Sequence, residues 1–164
     1  MSTTTSKRGM RASQHGSFTL ERVYDATSAR VFAAWASAEA KARWFAGPDE
    51  WAAAGREFDF RVGGREYVKG RWKGGTTSTF DARYFDIVPD RRIVYAYDMY
   101  VDDAKISVSL TTVEITPEGR GTRLRFTEQA VFLDGYDDAG SRERGTGALL
   151  DNLGRALEVA EPAH

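Results

Sequence analysis

Residues 18–48 read FTLERVYDATSARVFAAWASAEAKARWFAGP. Phe18 and Leu20 alternate with Thr19 and Glu21, as in a strand with one buried face, and Arg22 shares their phase. Thr27 or Ser28 can then cap a short helix carrying Val31, Phe32 and Trp35 on one side. Ser37 can cap a second, which ends near Trp44 and the breaker pair Gly47-Pro48. Trp35 and Trp44 are expected beneath the sheet edge or at the rim of an interior. A strand followed at once by two short helices is a distinctive way to open a domain.

Outward from this stretch the chain turns into hairpins. In EFDFRVGGREYVKGRW, residues 57–72, a two-residue Gly63-Gly64 turn predicts that Phe60 faces Tyr67 and Arg61 faces Glu66, the latter pair exposed. Phe80, Ala82 and Tyr84 share a face of the next strand, and Ile93, Tyr95, Tyr97 and Met99 share one of the strand after it. In KISVSLTTVEI, residues 105–115, the apolar phase runs Ile106, Val108, Leu110 and then shifts to Val113 and Ile115, which predicts a bulge or face change near Thr111 and Thr112.

The last strand, GTRLRFTEQAVF at 121–132, carries an anomaly. Leu124 and Phe126 alternate with Arg123, Arg125 and Thr127, and Glu128 falls in phase with the apolar pair. A lone ionised carboxylate is costly to bury, so an inward Glu128 requires a partner. Arg22, in phase on the first strand, is one candidate. A structural ion pair, or a strand that turns Glu128 to solvent, are the plainer readings. Beyond it, LDGYDDAG lacks the ligand spacing of a calcium loop and reads as a turn and helix N-cap. Leu149, Leu153, Ala156, Leu157 and Ala160 then mark one stripe of a long helix, with Gly145 and Gly147 expected at a frayed start.

Composition limits the chemistry. The 164 residues suit one domain with one core, placed at 17–160 between a disordered tail at 1–16 and a short tail at 161–164. A net charge of −1 gives no drive toward nucleic acid or an anionic membrane, and no apolar run suggests a span or leader, so a cytoplasmic location is expected. There is no Cys, and the only histidines are His15 and His164. Histidine triads, thiol nucleophiles and zinc sites of the usual kinds are therefore excluded between these two positions. No metal and no cofactor are expected, there being no phosphate-cradling or dinucleotide motif.

The opening stretch, together with RVGG at 61–64, VPDRRIVYAYDM at 88–99, GTRLRFTEQ at 121–129 and GTGALLDNL at 145–153, resembles the START-like (SRPBCC) helix-grip superfamily in its branch related to the activator of Hsp90 ATPase. The resemblance spans roughly residues 17–158. It implies an α+β fold, with a seven-stranded antiparallel sheet wrapped around a long C-terminal helix and two short helices after the first strand. It also implies that the first and last strands are neighbours, which would let Arg22 meet Glu128.

A small apolar or amphipathic ligand held between sheet and helix is the leading expectation. Its pocket would be lined by Arg22, Phe60, Tyr67, Tyr84, Tyr95, Tyr97, Met99, Val108, Phe126, Glu128, Leu149 and Leu153. Catalysis is the lesser expectation. It would be of the cyclase or dehydratase kind found in relatives, with Glu128, Tyr97 and Arg22 as acid–base groups. An Hsp90-type chaperone as partner ranks last, because the chain is expected to lack the additional N-terminal domain of eukaryotic activators. A homodimer is compatible with the sequence.

Overall fold

The computed structural model describes residues 11–159; the tail residues 1–10 and 161–164, and Ala160 of the helical stripe, lie outside it. The element order is β1 (Ser13–Tyr24), α1 (Ser28–Ala36), α2 (Ala38–Trp44), β2 (Trp51–Phe58), β3 (Arg65–Trp72), β4 (Thr77–Val88), β5 (Arg92–Val101), β6 (Ala104–Glu118), β7 (Gly121–Leu133) and α3 (Ala139–Val159). All pairings are antiparallel, and the sheet runs β1-β7-β6-β5-β4-β3-β2. The meander from β2 to β7 is thus closed on one side by the first strand. This is the α+β helix-grip arrangement that the sequence implies.

Local chemistry explains the helix starts. The Thr27 hydroxyl accepts from the Arg30 N–H and the Ser37 hydroxyl from the Ala40 N–H, each satisfying an otherwise unpaired donor of the first turn. Asp138 does the same for α3 through the Ser141 N–H. Helix α3 buries Thr146, Leu150, Leu153 and Leu157, and each buried leucine contributes roughly 1.5–3 kcal/mol. Trp35 and Trp44 are core rather than rim: both are buried and meet edge to face, 4.7 Å between centroids.

Several expectations need correction. The Gly63-Gly64 pair is not a two-residue turn. Residues 59–64 form a longer loop, in which the Gly63 N–H donates to the Tyr84 carbonyl and the Tyr84 N–H to that of Gly64. The β2–β3 register therefore sets Glu57 against Tyr67 and Phe58 against Glu66. Phe60 packs from the loop against Tyr84, while Tyr67 lies on the outer face beneath the Arg65 guanidinium. Arg61 pairs with Asp59, and Glu66 is buried.

Val108 also faces outward, 40% exposed, and Leu110 with it. The irregularity in β6 comes earlier than expected: the register with β5 shifts between Met99 and Tyr100, and Ile106 and Ser107 are both buried. From there Ser107, Ser109, Thr111, Val113 and Ile115 form the inner face. Strand β1 begins at Ser13, taking in Ser13–Gly16 (His15 among them) that the sequence reading assigns to the tail. Finally, Gly145 and Gly147 lie within α3, not at a frayed end.

Candidate functional site

On the inner face, the registers align Tyr84, Tyr95, Thr111, Glu128 and Phe18 in one row across β4, β5, β6, β7 and β1. The adjoining row is Ala82, Tyr97, Ser109, Ala130 and Gly16. Glu128 keeps the phase of Leu124 and Phe126 and is 1% exposed. A carboxylate does point at the core.

Its partner is Arg142, from the first turns of α3, and not Arg22. Glu128 Oε2 accepts from the Tyr97 hydroxyl at 2.7 Å, the Ser109 hydroxyl at 2.7 Å and Arg142 Nη1 at 3.2 Å. The same guanidinium donates to Tyr97 Oη at 2.8 Å, Ser107 Oγ at 2.7 Å and Asp137 Oδ2 at 3.1 Å. It also lies 5.2 Å from the Phe132 ring centre. Arg22 is in phase as expected but sits farther along β1, opposite Leu124, and binds Asp151 at 2.8 Å and the Gly147 carbonyl on α3.

Burial, followed by the charge of Glu128, pushes the Tyr97 hydroxyl well above the usual tyrosine range. It is held as a hydrogen-bond donor. Burial acts to lower the Arg142 pKa, but Tyr97, Glu128 and Asp137 outweigh it and raise it. All three donors converge on Oε2. The other oxygen, Glu128 Oε1, is buried with no hydrogen-bond partner among the described residues, and so is the Thr111 hydroxyl directly across from it. Thr111 stands beside Tyr95 without meeting hydrogen-bond geometry to it.

A second buried polar cluster escaped the sequence reading. Lys41 of α2 is 2% exposed and donates to Glu66 Oε1 at 2.6 Å, which also accepts from the Tyr84 hydroxyl at 2.5 Å. Rings of Phe45, Trp35, Tyr95 and Phe58 surround the ammonium at 4.7–5.8 Å. Burial outweighs the pull of Glu66 and lowers the Lys41 pKa. The signals were present: Lys41 precedes Trp44 by one helical turn, and Glu66 alternates in phase with buried Val68. The misplaced hairpin register hid the second. Arg142 had a signal too, lying one heptad before Leu149 on the apolar stripe.

Of the expected lining, Tyr84, Tyr95, Tyr97, Phe126 and Glu128 are gathered on the buried inner face, with Leu153 buried opposite on α3. Phe60, Met99 and Leu149 are partly buried against that core. Tyr67 and Val108 lie on the other side of the sheet, and Arg22 lies apart from the carboxylate. Two open depressions, of about 630 and 570 Å3, lie elsewhere, one along the β1–β7 surface at Ser17, Thr19, Thr127 and Gln129, the other near Ser13, Lys105 and Tyr136. Among the described residues no cluster of three His, Cys, Asp or Glu could hold a metal ion, and no helix is long and apolar enough to cross a membrane.

A seven-stranded sheet gripping a long helix, with two short helices after its first strand, defines the START-like helix-grip class. The chain belongs to the family described as "Activator of Hsp90 ATPase homolog 1-like protein", which matches residues 25–158. A solved structure from Rhizobium leguminosarum is 47% identical, with TM-score 0.87, covering 92% of this chain and 99% of that one. One from Rhizobium loti is 46% identical, with TM-score 0.82, covering 88% and 99%. An AHSA1-like protein from Aeromonas hydrophila shares the fold at 22% identity and TM-score 0.69, covering 91% and 99%. Comparison with curated proteins gives no significant match.

Proposed function

We propose that this protein binds a small, mainly apolar molecule between the inner face of the sheet and α3, with the polar end of the ligand at Glu128. One observation carries the reading: a buried carboxylate whose Oε2 takes three donors while Oε1 takes none among the described residues. A purely structural ion pair would be better served by satisfying both oxygens, since an unpaired buried acceptor costs about 1–3 kcal/mol. Around it the wall is aromatic, with Phe80, Tyr95 and Tyr97 in mutual contact. A mostly apolar wall with a few polar groups is what holds and orients a small molecule. The cluster is closed in this conformation. Entry is expected past Met99 and Leu149, which are only partly buried against the core.

The test is thermal unfolding against a panel of amphipathic small molecules. A ligand at about a hundred times its dissociation constant adds roughly 2.7 kcal/mol, several degrees for a domain of this size. The shift is expected to vanish in Glu128→Leu and to persist in Val108→Ser on the outer face. A flat response across the panel would overturn the reading.

A second reading, a cyclase- or dehydratase-type enzyme, draws on the 2.7 Å Tyr97–Glu128 hydrogen bond. The raised pKa of Tyr97 counts against it, because a phenol so reluctant to ionise is a poor proton donor near neutrality. Loss of turnover in Glu128→Gln would support this alternative; unchanged turnover would remove it. Stimulation of an Hsp90-type ATPase, the activity in the family's name, ranks third; micromolar binding to a bacterial Hsp90 homologue is its check.

A further inference from the structure

Three buried side-chain atoms have no hydrogen-bond partner among the described residues: Glu128 Oε1, Thr111 Oγ1 and Trp35 Nε1. Their capacities differ. A carboxylate oxygen only accepts, an indole N–H only donates, and a threonine hydroxyl does both. Thr111 and Glu128 face each other across β6 and β7. Trp35 comes down from α1, its ring 6.4 Å from that of Phe126, the inward residue next to Glu128 on β7. The sheet supplies the acceptor at Glu128 and, directly across from it at Thr111, a hydroxyl free to donate.

Resting on the binding function proposed above, we infer that the ligand's polar end is a hydroxyl group, an alcohol or phenol. Such a group gives its proton to Glu128 Oε1 and receives one from the Thr111 hydroxyl that faces it across β6 and β7, so donor and acceptor needs are met by one atom. The other common polar ends each fail one of these needs. A ketone or ether has no proton for Oε1. A carboxylate brings a like charge to Glu128 in a low-dielectric interior. An ammonium offers donors but no acceptor for the Thr111 hydroxyl, and must itself be desolvated.

The arrangement around Oε2 makes the inference sharply testable. In Glu128→Gln, the amide oxygen is required at the Oε2 position, where Tyr97, Ser109 and Arg142 all donate. The amide NH2 must then occupy the Oε1 position. The substitution therefore turns the open acceptor into a donor and should invert the preference for the ligand's polar end.

The experiment is titration calorimetry with naphthalene and biphenyl series that differ only in one substituent: hydroxyl, methyl ether, acetyl, carboxylate and aminomethyl. For the wild type, the hydroxyl member is expected to bind at least tenfold tighter than the ether or ketone. In Glu128→Gln the order should reverse, with ether and ketone at least equal to the hydroxyl. Thr111→Val, close in shape, removes a donor that hydroxyl, ether and ketone oxygens all accept from, so it should weaken the three alike and leave the wild-type preference for the hydroxyl intact. Circular dichroism of each variant confirms its fold, and the wild-type order among the substituents carries the test if Glu128→Gln does not fold. Binding without any preference among the substituents would overturn the hydroxyl inference, leaving the three atoms to a resident water, while the binding function would stand. No binding by any member would overturn both.

Discussion

Glu128 and Arg142 set the terms at the residue scale. Glu128 is buried and Arg142 nearly so, each would be costly alone, and hydroxyls of β5 and β6 hold Glu128 Oε2 and the guanidinium as much as the two hold each other. Removing one member should cost more than removing both, because the survivor is left uncompensated. Arg142→Met is expected to destabilise the protein by about 3 kcal/mol, the lower end of the range for a broken buried pair, since 11% of the Arg142 side chain stays exposed. The double variant with Glu128→Gln should recover part of this loss; chemical denaturation of the two measures it. Full additivity of the single effects would show that the residues are not coupled. Glu128 was legible from its phase because β7 runs without a bulge. Its partner was not, because Arg142 is joined to it only by packing and the expected helix stripe began one heptad too late.

At the scale of elements, the glycines separate close packing from open space. A Cβ on Gly70 would fall 1.9 Å from the Trp51 ring, which covers β3 there. Gly70→Ala is therefore expected to cost about 1–3 kcal/mol by overpacking. Gly145 is the opposite case, an interior position of α3 with nothing within 4 Å of a Cβ. Gly145→Ala should stabilise the protein by about 0.5–1 kcal/mol through the helix preference for alanine. Thermal or urea unfolding of both variants checks the two signs, and destabilisation by Gly145→Ala would mean that the first turns of α3 are not settled helix. Gly147 and Gly154 serve another end, giving room to Arg22 and Tyr24 of β1, and the Tyr24 hydroxyl donates to the Leu150 carbonyl at 2.8 Å.

The caps at Thr27 and Ser37 and the inner phases of β4, β5 and β7 were legible because local spacing decides them. Strand β2 was harder. Its Ala52, Ala53 and Ala54 are exposed, and a bulge between Ala53 and Gly55 breaks any alternation. The Gly63-Gly64 pair misled because its hydrogen bonds go to Tyr84, on a strand that the local sequence does not announce. Val108 misled because the register shift falls before it rather than after.

For the molecule as a whole, the interior is tyrosine-rich, and this gives the stability a pH signature. Burial holds Tyr24, Tyr84, Tyr95 and Tyr97 above their ordinary pKa near 10. A group whose folded pKa is raised contributes stability that is complete below its unfolded pKa and is lost as pH rises through it. Stability should therefore fall steeply above about pH 10, four protons deep. Lys41 works the other way, since its lowered pKa favours the fold as pH rises toward about 10.4, but it is one group against four. Following tyrosinate absorbance and circular dichroism together, the four buried phenols are expected to ionise only with the loss of structure. Full ionisation in a still-folded protein would mean that the interior is open to hydroxide.

On the binding function proposed above, the inner face around Glu128, and neither surface depression, receives a small amphipathic molecule. The most direct measurement is the change in NMR chemical shifts on adding a ligand that raises the melting temperature. Shifts are expected at the Trp35 indole N–H, the rings of Tyr95 and Tyr97, and the methyls of Thr111, Met99 and Leu149, with Tyr67, Val108 and Leu110 unmoved. Changes gathered instead along Ser17, Thr19, Thr127 and Gln129, with the Trp35 signal unchanged, would contradict that placement.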